Sequence, residues 1–415
     1  MNPFEYPAKT LEDNVLNWKK MYPKPYDKKS ASPFTKIRII LMNGTEFEST
    51  WFLHQFSRNC NDADLKREIA FIRNQEQQQQ KRIGALKPLD ENFLETTIGY
   101  EQLAIELTAI LAQNETDKNN LDALNLALLE DFDHLYRFAN LLKKDFGIEA
   151  ETLVGKLTEI MPGRPTINEH RHPRDFVKRH LDAKTAAPYS KLVASIITAA
   201  EQQTMNWYMN IAQIYHNDIG RKLFAEIGMV EEMHVSQYES LKDPNCTWLE
   251  NWLMHEYTEC YLYYSMMQDE TDPHIKKIWE EHFQMEVSHL KHVAKLLEKY
   301  EKKKVSGVIP NPEFPRLLKF GENKEYIRRV LKDTVWITSD RENYIDARKL
   351  TANADFFKYN KAVNDSPDDV ASHQIIKEAI KTRGFGGKDY RYQESDHPID
   401  ALNDRKTDNV TIGKE

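Results

Sequence analysis

Apolar residues recur at three- and four-residue spacing over 65–81, 91–113 and 121–144, and again over 187–215, 219–241, 247–268 and 273–303. That period predicts amphipathic helices, so the fold class is mainly α. The last four segments are joined by short links, as antiparallel neighbours in a four-helix bundle require. One stretch differs. In 36–47, KIRIILMNGTEF, β-branched residues flank Asn43-Gly44, a pattern that predicts a small β-hairpin. Residues 1–35 carry Pro3, Pro7, Pro23, Pro25 and Pro33 among charges and read as an extended N-terminal arm. Three prolines and a glycine in MPGRPTINEHRHPR, 161–174, mark the main boundary. The expected organisation is the arm, a helical domain with the hairpin at 36–160, a linker at 161–186 and the bundle at 187–303. A wrapping linker, a short helix at 324–332 and a mostly irregular tail would complete 304–415, with 384–415 polar and mobile.

Composition narrows the chemistry. With 57 basic and 65 acidic residues the net charge is -8, so no basic field draws nucleic acid or an anionic membrane. The start of the chain has no secretory pattern and its longest apolar run is too short to span a bilayer, which predicts a soluble, cytoplasmic protein. The three cysteines (Cys60, Cys246, Cys260) form no CxxC, and the 14 glycines form no phosphate-binding loop. A metal would therefore be bound by His, Glu or Asp.

Two segments have that potential. Glu231-x-x-His234 lies in 219–241 and Glu286-x-x-His289 in 273–303; residues three apart share one helix face, so a carboxylate and an imidazole can reach one ion. The other two helices would each add a carboxylate: Glu201, and Glu256 or Glu259. With Glu256 the separations are 30, 25 and 30 residues. Two further E-x-x-H matches, at 169–172 and 394–397, fall in proline-rich or polar stretches and read as loop. Two imidazoles and four carboxylates suit iron or manganese better than zinc or copper(I), and bridging carboxylates allow two ions. Without cations such a cluster would be strained or protonated.

The segment 191–300 resembles the ferritin-like di-iron carboxylate superfamily, in which this ligand set is the defining pattern. Within it, HEYTECY at 255–261 and the paired Glu231-Glu232 are most similar to the rubrerythrin branch, which favours Glu256 over Glu259. Leu253 stands where that branch carries an extra glutamate, and no rubredoxin domain is present. The resemblance implies two iron ions, or manganese, and an oxidoreductase acting on O₂ or a peroxide. Electrons would come from a separate protein and the substrate would be a small molecule. Oligomerisation stays open, and iron sequestration or a metal-free scaffold are the alternatives.

Tyr208 and Tyr263 fall seven residues after Glu201 and Glu256, and Tyr238 falls four after His234, so all three should face the same interior. Tyr208 and Tyr238 are the candidates for a catalytic part, against simple core packing. The first half holds an echo: Glu76-x-x-Gln79, Glu101 and Asp131-x-x-His134 repeat the 25- and 30-residue separations. This is either a degenerate repeat with one helix replaced by the hairpin, or ordinary helical packing.

Overall fold

A computed structural model describes residues 1–164, 166–366, 369–383, 391 and 395–400, and these are mainly helical. In chain order the helices are α1 (Trp18–Met21), α2 (Pro33–Asn59), α3 (Ala63–Gly84), α4 (Phe93–Asn114), α5 (Lys118–Phe146), α6 (Glu151–Val154) and α7 (Thr166–Glu169). Next come α8 (Pro188–Ile214), α9 (Asp218–Glu239), α10 (Trp248–Asp269), α11 (Pro273–Glu301) and α12 (Lys324–Thr334). The antiparallel strands β1 (Ile337–Asp340) and β2 (Asn343–Asp346) precede α13 (Asp355–Asn364) and α14 (Ala371–Arg383).

The long helices begin where the chain supplies acceptors for their free N–H groups. Asp62, Asp117, Asn217 and Asp272 cap α3, α5, α9 and α11 through their side chains. Asn92 with Glu95 and Thr247 with Glu250 form reciprocal capping boxes on α4 and α10. At the other end of α5, Gly147 takes φ 69°, which lets the chain turn away.

The chain forms two compact units. The first comprises Met1–Glu91, His180–Gln203 and Lys242–Phe320; the second comprises Asn92–Arg179, Thr204–Leu241 and Gly321–Glu415. In the first unit α2 packs on α3 and α10 on α11, while α10 also meets α2 and α11 meets α3. The N-terminal arm lies on this unit, with the Phe314 N–H donating to the Met1 carbonyl at 2.9 Å and the Leu16 N–H to Gln78 at 2.7 Å. In the second unit α4 packs on α5, α5 also meets α9 and α12, and α14 packs on both α5 and α9.

Four expectations are corrected. No hairpin occurs at 36–47, which lies inside α2. Ile37, Ile39, Leu41, Met42, Thr45, Glu46 and Ser49 are all buried, so the helix is covered on several faces and its apolar run lacks the one-sided stripe of a surface helix. Gly44 serves close approach, not a turn: a Cβ there would lie 3.2 Å from the Ala199 carbonyl oxygen. The strands lie instead at 337–346, within a C-terminal segment that also holds α12, α13 and α14 and is therefore more ordered than expected. Of the tail read as mobile, 384–390, 392–394 and 401–415 lie outside the described residues.

The block 187–303 does not form one unit, because α9 belongs to the second while α10 and α11 belong to the first. Short links fix which helices follow one another, whereas complementary buried faces decide which helices share a core. Nor is 161–186 a free linker. Met161, Arg164, Glu169 and Arg171 are buried in the second unit, where the Arg164 backbone N–H donates to the Leu129 carbonyl and its guanidinium to the carbonyls of Thr334 and Val335. Among the described residues no helix is long and apolar enough to cross a membrane.

Gly163 seats that buried segment, since its N–H donates to Asp133 at 3.0 Å and a Cβ would come 2.4 Å from the Leu129 carbonyl oxygen. Gly163→Ala should therefore destabilise the second unit by about 1–3 kcal/mol. Thermal unfolding followed by circular dichroism checks this, and an unchanged melting temperature would show that the segment is not seated by close packing.

Candidate metal centres

Each unit encloses a cluster of acidic and histidine side chains. In the first, α2 brings Glu46, α3 brings Glu76, α10 brings both Glu256 and Glu259, and α11 brings Glu286 and His289; all are buried. Donor atoms of Glu76, Glu256, Glu286 and His289 lie within 4.8 Å of one another, as do those of Glu46, Glu76 and Glu259. Glu76 belongs to both sets, the arrangement of a bridging carboxylate. His289 Nδ1 lies 2.9 Å from Glu76 and 3.2 Å from Glu286, and its Nε2 is 2.8 Å from Gln75 Oε1. Gln79 donates from its amide to Glu46 and Glu286, and Tyr263, itself 3.0 Å from His282 Nδ1, donates its hydroxyl to Glu46. Glu46 Oε2, Glu256 Oε2 and both oxygens of Glu76 and Glu259 have no hydrogen-bond partner.

In the second unit α4 brings Glu101, α5 brings Glu130, Asp131 and His134, and α9 brings Glu231 and His234, again all buried. Glu101, His134 and Glu231 form one donor set; Asp131 and His234 meet Glu231 in another. One Glu231 oxygen lies 2.9 Å from His134 Nδ1 and the other 3.1 Å from His234 Nδ1, so this carboxylate stands between the two imidazoles. His234 Nε2 is 2.8 Å from Glu130, whose other oxygen accepts from Arg171 at 2.6 Å with Arg164 at 3.4 Å. From α7, Glu169 comes within 3.4 Å of His134 Nε2.

Electrostatics separate the two clusters. In the first, burial and then the neighbouring carboxylates hold Glu46, Glu256 and Glu259 well above the usual carboxylate range, and Glu286 is raised for the same reasons. Burial opposes a charged imidazole at His289, but Glu286 and Glu76 outweigh it and raise its pKa. In the second, burial is outweighed at Glu231 by His134 and His234, and at Glu130 by Arg171, His234 and Arg164, so both carboxyls are held low. Glu169 is the exception, pushed up to about 8 by burial.

The six residues expected to share one point are divided. Glu231 and His234 serve the second unit; Glu256, Glu286 and His289 serve the first, where Glu259 joins Glu256 and does not replace it. Each E-x-x-H instead shares a unit with a motif of the first half: Glu286 and His289 with Glu76 and Gln79, Glu231 and His234 with Asp131 and His134. Because the 25- and 30-residue separations recur along the chain, spacing alone does not choose between these pairings. Glu201 is buried on α8, two turns before Tyr208 on the same face of that helix. Tyr208 donates its hydroxyl to Glu101 at 2.5 Å, and the Tyr238 ring lies 6.4 Å from that of His234.

Glu46, Glu130 and Glu169 were missed. The hairpin reading hid Glu46, although it stands 30 residues before Glu76 and so completes a 30, 25, 30 series with Glu101 and Asp131, matching Glu201, Glu231, Glu256 and Glu286. Glu169 does not act as a plain loop residue, and His397 of the other discounted match is buried, with Nε2 2.7 Å from the Pro162 carbonyl. No local pattern marks Glu130, whose role depends on which helix it faces.

Raised carboxyl pKa values in the first cluster make its protons stabilising below the ordinary carboxylate range, a contribution lost as pH rises through the raised values. A metal-stripped Glu259→Gln chain should therefore lose less thermal stability between about pH 5 and about pH 8 than its parent. Equal losses in parallel melts would show that Glu259 ionises there at no cost.

Compared with known proteins, the chain matches no family model, no curated protein and no solved structure.

Proposed function

We propose that the chain is a metal-dependent oxidoreductase of the ferritin-like di-metal carboxylate kind, with one centre in each unit. The observation that carries this reading is the carboxylate shared by two buried donor sets, Glu76 in the first unit and Glu231 in the second. The fit to cations is supported by the donors themselves. Burying several carboxylates whose oxygens lack any partner is costly unless cations balance them. Mixed oxygen and imidazole donors suit iron or manganese over zinc or copper(I).

Glu46, Glu76, Glu256, Glu259, Glu286 and His289 would hold metal in the first unit. Glu101, Asp131, His134, Glu231 and His234 would do so in the second, with Glu201 proposed as the carboxylate that α8 contributes, in the place that Glu46 has in the other series. Paired ferrous or manganous ions would supply two-electron reduction of O₂ or a peroxide. The chain's own part is to orient the donors and exclude water. Glu130 and Gln75 accept from the outer nitrogens of His234 and His289 and so fix the ring orientation. Tyr208 and Tyr263 donate to Glu101 and Glu46, holding a proton at one oxygen of each carboxylate. A small-molecule substrate has a place in the second unit, in a cavity of about 760 Å³ lined by Phe176, Met229, Met233, Tyr359 and Val363 with Arg171. Electrons would come from a separate donor.

Four donor sets imply up to four ions per chain. Elemental analysis after anaerobic loading with ferrous iron should find close to that number, and O₂ consumption by the loaded, reduced chain should exceed that of the stripped chain. Glu231→Ala combined with His234→Ala should remove about half of the metal and leave the helices intact by circular dichroism, since helix packing rests on apolar faces along the whole bundle. A chain that binds no iron under these conditions refutes the proposal. Iron uptake without any O₂ or peroxide turnover would favour sequestration.

A further inference from the structure

The two clusters differ in who balances their charge. In the first unit five glutamates surround one histidine, and among the described residues no arginine or lysine is ion-paired with Glu46, Glu76, Glu256, Glu259 or Glu286. Gln79 occupies the place that an E-x-x-H motif gives to histidine, so even that motif supplies only a neutral amide. The outer nitrogen of His289 likewise meets an amide, Gln75.

The second unit compensates itself. Both oxygens of Glu231 are met by imidazole nitrogens, and Glu130, behind His234, is held by Arg171 and Arg164. The adjoining Asp133 is paired with Arg137 at 2.8 Å. Those arginines come from α5 and from the buried segment before α8, so the fold itself delivers cations to this cluster. The cavity of about 760 Å³ also belongs to this unit, and Arg171, the partner of Glu130, lines it beside His170.

Resting on the metal-binding reading above, we infer a division of labour: the first unit holds its metal permanently as charge compensation, and the second holds it exchangeably and is the reactive centre. The physical reason lies in the state left behind when metal departs. Emptying the first cluster strands the Glu46, Glu76, Glu256 and Glu259 oxygens that no protein group meets, so the ions are held by the full cost of that exposure to one another's charge. Emptying the second leaves Glu231 between His134 and His234 and leaves Glu130 on its arginines, so less is lost. A centre that can open coordination positions, beside a cavity that admits a small molecule, has what a reaction with substrate requires. A centre enclosed by five glutamates has no such need.

The test is equilibrium competition between the iron-loaded full-length chain and a ferrous chelator. Iron should leave in two steps, about half of it at a chelator concentration lower by about tenfold or more, the scale on which ligand surroundings tune affinity. Two near-isosteric variants assign the steps. His234→Gln, which copies the residue found at Gln79, should shift only the easily removed half; Glu259→Gln should shift only the resistant half. Small-molecule access gives a second readout: azide added to the oxidised chain should perturb the iron spectrum in proportion to the easily removed half. Iron leaving in a single step, or a resistant half that responds to His234→Gln, overturns the division while leaving the metal reading intact. A chain that takes up no iron overturns both.

Discussion

Burying carboxylates beside one another is the constraint on which the rest of this protein turns. A lone ionised carboxylate in a low-dielectric core is already expensive, and several within 4.8 Å of one another repel as well. The cost has to be met by cations, protons or hydrogen-bond donors. Both units meet part of it with imidazoles, but only the second adds guanidinium groups, through Glu130. Much of the irregular structure follows from this need. The segment carrying Arg164, Glu169 and Arg171 is too interrupted by proline and glycine to be a helix, and it is buried because its charges have partners there.

The helices that carry the clusters show a repeat whose halves have exchanged partners. Glu46, Glu76, Glu101 and Asp131 stand 155 residues before Glu201, Glu231, Glu256 and Glu286, respectively. Neither set stays together. Glu46 and Glu76 share the first unit with Glu256 and Glu286, while Glu101 and Asp131 share the second with Glu231. An α2–α3 pair from one copy thus completes an α10–α11 pair from the other. Exchange of this kind keeps each local pairing, with its short connection, and changes only which pairs close on each other, so it costs little in core packing.

The two centres have diverged in ways that bear on chemistry. Histidine gave way to Gln79 at one motif, removing a nitrogen donor and leaving a more carboxylate-rich cluster. Glu259 adds an acid where the first copy has Ala104. On the other side, Glu130 stands where the second copy has Met285, and the arginines gather on it. One centre became richer in anions and the other richer in its own cations.

The sequence by itself determined the helical class, most helix starts and stops, and the identity of the residues that share each helix face. Those features depend on interactions within a few residues: capping groups, turn glycines and the three- to four-residue period that sets Glu231 with His234 and Glu286 with His289. It also contained the 30, 25, 30 series for both copies, though Glu46 was concealed by β-branched residues around Asn43-Gly44, which a helix buried on several faces tolerates. Only the tertiary structure decided which pairs of helices close around a common cluster. A second pairing satisfies the same spacings, and the choice lies in how buried side chains fit across elements far apart in the chain. The same holds for Glu130 and Glu169: a carboxylate becomes a partner of a histidine only when another helix or segment presents that histidine to it, and no local pattern encodes that meeting.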